Sequence, residues 1–94
     1  MKHPLLNTDS PHYEASGTQA IYELEKELTI PEMIGYCKGN IFKYKWRGGA
    51  KGDDYLKKIE TYQNYLDFLQ DKKIFKFSTL TVADNLALVG IVWE

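Results

Sequence analysis

Cysteine and arginine each occur once in these 94 residues, as Cys37 and Arg47, and histidine only twice, as His3 and His12. A single thiol excludes an intrachain disulfide and a zinc site built from thiolates. No H-E-x-x-H spacing is present, and no Ser/His/Asp or Cys/His set has a spacing that argues for hydrolysis. Long apolar runs are missing as well. The longest, Leu86 to Trp93, falls far short of the ~18 residues that span a bilayer, and the start, Met1 to Asn7, lacks the apolar stretch of a signal peptide. The expectation is a cytoplasmic protein with no membrane partner. Repeats, low-complexity tracts and interdomain linkers are absent too.

What is there suits one small folded domain: 44% of residues are hydrophobic and 27% charged. The net charge of −1 hides an uneven layout. Residues 1–32 carry a net −4 and residues 53–94 a net −2. Between them Lys38, Lys43, Lys45, Arg47 and Lys51, with no acid, give residues 33–52 a net +5. Such an island can hold a small polyanion such as a nucleotide, or it is simply the solvated face of a helix. The acidic flanks argue against a nucleic-acid partner.

Residues 1–15, with Pro4, Pro11, Asn7, Asp9 and Ser10 and no periodicity, read as an N-terminal arm that contains His3. Residues 16–94 read as a single, mainly α domain. A first helix is expected over about 18–28, with Ser16 and Gln19 as a capping box and Glu23, Glu25, Lys26 and Glu27 outside. A second starts at Thr29, with Pro31 in its first turn and Glu32 three residues after the cap, and stops at Gly48-Gly49. Ile34, Cys37, Ile41 and Tyr44 share its buried face, and Cys37 is expected there as a small apolar group. Gly35 and Gly39 would let another helix approach closely, or admit a ligand. A third helix starts at Asp53 or Asp54, and Tyr55, Ile59, Tyr62, Leu66 and Leu69 form its seam. That seam can pack within the chain or on a second subunit, and a homo-oligomer is expected. Residues 72–94 change period. Phe75, Phe77 and Thr79 alternate with Lys76 and Ser78, and Asp84-Asn85 can turn the chain, so a β-hairpin or oligomerisation extension is preferred. A helix from about Thr81 competes, because Val82, Leu86, Val89 and Trp93 also fit one helical face.

On the second helix Asn40, Lys43 and Arg47 fall at i, i+3, i+7, flanked by Tyr36 and Tyr44. An amide, an ammonium and a guanidinium in a row can grip phosphate and read a base edge, and tyrosine can stack on a base. The run Gly48-Gly49-Ala50-Lys51-Gly52 fails the GxxxxGK[ST] phosphate-loop pattern. Its amides can still hold an anion, although Asp53 and Asp54 compete for them.

These segments resemble the SaV-like bacteriophage domain of unknown function, related to the nucleotide kinase of short-tailed coliphages. The resemblance runs through Pro11, His12 and Tyr13, then Gly39, Asn40, Lys43, Tyr44, Trp46 and Arg47, then Lys51 and Gly52, then Asp53, Asp54 and Leu56, and covers about residues 11–66. It implies a phage or prophage protein acting in the host cytoplasm that binds a nucleotide. It extends to phosphorylation of deoxynucleoside monophosphates, with ATP and Mg2+. On that reading Arg47, Lys43 and Lys51 clamp phosphates, Asn40 orients phosphate or base, His12, Tyr13 and Tyr44 line the pocket, and Asp53 or Asp54 helps to hold the metal through the nucleotide. The alternative is a protein without turnover that sequesters a cyclic nucleotide signal of host immunity.

Overall fold

The computed structural model describes residues 3–6, 18–48 and 54–93. Among them are a short 3-10 turn at Pro4–Leu6 and four α-helices: α1 (Thr18–Glu27), α2 (Ile30–Arg47), α3 (Asp54–Leu69) and α4 (Val82–Leu88). The chain start at α2 follows its local chemistry. Thr29 has extended backbone, and its N–H and Oγ1–H both donate to one carboxylate oxygen of Glu32, at 2.9 and 3.0 Å. These bonds hold the Glu32 carboxyl below its usual range, the backbone bond contributing most. At the other end Gly48 has φ +54°, a left-handed value that favours glycine, and its N–H reaches back to the carbonyls of Tyr44 and Lys45.

The core lies between α2 and α3. Ile30, Met33, Cys37 and Ile41 of α2 are buried with Tyr62, Tyr65, Leu66 and Leu69 of α3. Burial, followed by the charge of Glu25, pushes the Cys37 thiol up to about 12, as suits a packed apolar group. The seam of α3 is thus used within the chain. The 3-10 turn packs on α3, and α1 packs on α4. Gly35 and Gly39 receive no close neighbour: a Cβ at either would meet nothing within 4 Å. No helix among the described residues is long and apolar enough to cross a membrane.

The C-terminal β-hairpin does not form, and no strand occurs among the described residues beyond an isolated bridge between Thr29 and Thr81. Thr81 is the N-cap of α4, its Oγ1 accepting the Asp84 N–H at 3.1 Å. Asn85, expected in a turn, is buried inside that helix. Its Oδ1 accepts the Phe77 N–H at 3.2 Å, and its Nδ2 donates to the carbonyls of Phe77 and Thr81, both at 3.0 Å. The backbone groups that a hairpin would pair across strands are therefore tied to one side chain.

Two further departures concern a buried polar cluster. His3, expected in an N-terminal arm outside the folded domain, is fully buried, and Glu25, expected on the outer face of α1, is only 2% exposed. His3 Nδ1 accepts the Leu5 N–H at 3.1 Å, which places the ring proton on Nε2, and Nε2–H donates to Glu25 Oε2 at 2.9 Å. The Tyr65 hydroxyl donates to the same oxygen, and Trp93 Nε1–H donates to Oε1 at 2.8 Å. Burial and this carboxylate together drive the Tyr65 hydroxyl upward. One buried acceptor thus ties the first described residue to the last.

Candidate functional site

With its core stripe turned to α3, α2 presents the opposite side to solvent. Phe42 and Trp46 stand there one turn apart, 66% and 81% exposed. Their rings are stacked, with centroids 6.0 Å apart and 24° between planes. Lys43 and Arg47 each follow one of these aromatics in sequence and are exposed as well. The four side chains line one open concavity of about 310 Å3. Two large rings held in water at the rim of a cationic shelf forgo the burial that would otherwise stabilise them. Chemically the shelf offers a flat π-face for a planar ring and, beside it, a guanidinium fork and an ammonium for an anion.

The residues named from sequence fall into three groups. Lys43 and Arg47 line the shelf. Asn40 and Tyr44 lie on the shoulder of α2 away from it. Asn40 Nδ2 donates to the Tyr36 carbonyl one turn back at 2.8 Å. Tyr44 is half-buried and stacks on Tyr62 at 6.1 Å, with Lys43 Nζ 5.0 Å and Lys58 Nζ 5.3 Å from its ring centroid. Lys43 thus bridges from the Tyr44 ring to the shelf. His12, Tyr13, Lys51 and Asp53 lie outside the described residues, as does the Asp54 side chain, although Asp54 opens α3. Among the described residues no three His, Cys, Asp or Glu side chains come together to hold a metal ion.

Phe42 and Trp46 were not among the ligand candidates read from sequence. The available signal was their position: both lie off the buried stripe of α2, where large aromatics have no packing role. A second concavity, of about 620 Å3, runs between α1 and α4 past Tyr22, Lys26, Leu86, Ile91 and Trp93. Its lining is mostly apolar with Glu25 among it, and its single cation, Lys26, pairs with Glu23 at 3.2 Å. That groove suits an apolar occupant better than a phosphate.

A family model described as a protein of unknown function, DUF3310, matches residues 7–64. The Gene 1.7 protein of Enterobacteria phage T3 is 36% identical over 66 residues, which are 64% of this chain and 40% of that protein. The chain therefore spans about 40% of the length of this relative. No solved structure matches. The matched region holds α1, α2 and the first part of α3, and so the whole shelf, whereas His3, Tyr65, Trp93 and α4 lie beyond it.

Proposed function

The chain belongs to the DUF3310 family and is related to a phage protein, and we propose that it binds a nucleotide on the exposed face of α2. The base lies on Trp46 and Phe42, and the phosphate is held by Arg47 and Lys43. The observation that carries this reading is the placement of two exposed, stacked aromatic rings and two cations around one concavity. Base–aromatic stacking contributes about 1–3 kcal/mol per base, and a charge-assisted hydrogen bond to phosphate about 1.5–3 kcal/mol. Together they give a chain of small net charge a defined small-anion site. The site would act in the cytoplasm of the infected host.

Two outcomes of binding divide the reading. A phosphotransferase would bring ATP and magnesium to the same nucleotide, drawing on Lys51, Asp53 and Asp54 and on His12 and Tyr13. A sequestering protein would hold the nucleotide without turnover. Calorimetric titration with each deoxynucleoside monophosphate tests the site: binding that falls at least tenfold in Trp46→Ala supports it, and no heat with any nucleotide removes it. Incubation with ATP, magnesium and each monophosphate then decides the class. Diphosphate formation makes the protein a kinase. Binding without product makes it a sequestering protein.

A further inference from the structure

We infer that the α2 face takes two phosphodiester-linked nucleotides, a dinucleotide unit, in preference to a lone mononucleotide. The inference rests on the nucleotide reading of the same face and goes beyond it. Its basis is an internal duplication of the shelf. The sequence Phe42-Lys43-Tyr44-Lys45-Trp46-Arg47 contains three aromatic–cation pairs two residues apart, and the first and third, Phe42-Lys43 and Trp46-Arg47, lie four residues apart around the same concavity. Four residues advance an α-helix by about 6 Å, and the two ring centroids are indeed 6.0 Å apart. That step is comparable to the distance between neighbouring phosphates along an extended single strand, so one nucleotide can meet each helical turn. In that register one base lies on Phe42 with its phosphate on Lys43, and the next lies on Trp46 with its phosphate on Arg47.

Both pairs are exposed and line one concavity, so neither half of the repeat is committed to the core. On the exposed face the repeat has two members, because Tyr44 of the middle pair is half-buried and stacks on Tyr62. One turn before Phe42-Lys43 stand Lys38 and Gly39, and no aromatic. Beyond residues 33–52 the chain is acidic on both sides, which disfavours a longer polyanion. A short diester of two bases fits this layout in size and charge. A linear single-strand fragment and a cyclic dinucleotide share that chemistry.

The test is calorimetric titration of the full chain with dTMP, with the 5′-phosphorylated thymidine dinucleotide, with a ten-residue oligothymidine and with a cyclic guanosine dinucleotide. The expected result is that at least one dinucleotide binds about tenfold or more tighter than dTMP, the gain of a second stacked base. Phe42→Ala and Trp46→Ala should each remove most of that gain. Preference for the linear or for the cyclic compound names the source. If dTMP binds as tightly as both dinucleotides, the inference fails while the nucleotide reading stands. If oligothymidine binds far more tightly per site than the dinucleotide, the two-nucleotide limit is wrong. If nothing binds and light scattering finds an oligomer that Trp46→Ala dissociates, the face is a subunit interface and both readings fall.

Discussion

The indole N–H of Trp93 donates to Glu25 Oε1 at 2.8 Å, joining two residues 68 positions apart. With the Tyr65 hydroxyl and His3 Nε2 on the other oxygen, this carboxylate is a junction between α1, α3 and both ends of the described chain. Its partners His3 and Trp93 lie outside residues 7–64, which the family model matches, and Tyr65 lies one position past the end of that match.

Glu25→Gln should therefore be among the most destabilising single changes away from the apolar core. An amide cannot accept from three donors without turning its own N–H groups towards one of them. The expected loss is about 2–4 kcal/mol, read by urea unfolding. Trp93→Phe keeps an aromatic ring but removes the N–H donor and part of the indole's packing area, and should cost about 1–2 kcal/mol. If Trp93→Phe is neutral while Trp93→Ala is costly, the indole acts through packing alone.

The core between α2 and α3 was legible in the sequence because its signals are local. Thr29, Pro31 and Glu32 mark the start of α2, Gly48 its end, and Cys37 and Ile41 its inner face. The tail was not, since Val82, Leu86 and Trp93 satisfy a helix period while the segment also reads as an apolar strand. The buried Asn85, bonded to Phe77 and Thr81, decided for the helix. Glu25 and His3 escaped because their burial depends on partners remote in sequence. For the shelf, charge pointed to Lys43 and Arg47. Phe42 and Trp46 needed the structure to show that both are exposed on their side of α2.

Cys37 should be inert in the native state. Burial, then the charge of Glu25, pushes its thiol up to about 12, so at pH 8 roughly one molecule in ten thousand carries a thiolate. Labelling by a thiol reagent at that pH should be slow and should accelerate with urea in step with opening. Because the folded value is raised, folding favours the neutral thiol. Its contribution to stability is full below the unfolded value of about 8.5 and falls as pH rises beyond it. Labelling as fast as free cysteine would show that α2 opens readily from α3.

Glu32 makes the opposite linkage. Its folded value is lowered by the two bonds from Thr29, so its contribution is full above the unfolded value and is lost as pH falls through the folded one. Glu32→Gln can still accept from Thr29 but cannot titrate. The variant's melting temperature should therefore fall less steeply than that of the native protein on acidification below about pH 4.5. Parallel curves would show that the start of α2 does not depend on the charge.

Arg47→Lys separates recognition from architecture. Arg47 is exposed at the last position of α2 and lines the shelf beside Trp46. If its guanidinium grips phosphate through a fork, lysine keeps the charge but not the paired geometry. Charge-assisted hydrogen bonds contribute about 1.5–3 kcal/mol, so nucleotide affinity should fall roughly tenfold or more. The melting temperature should change little, because an exposed cation contributes little to stability. An arginine that only fixes the corner between α2 and α3 predicts the reverse: affinity kept in the folded fraction and a lowered melting temperature. Titration of both proteins with the same nucleotide, beside their melting curves, distinguishes the two. Equal affinities with a lower melting temperature would make the basic end of α2 a structural corner and transfer the anion site elsewhere.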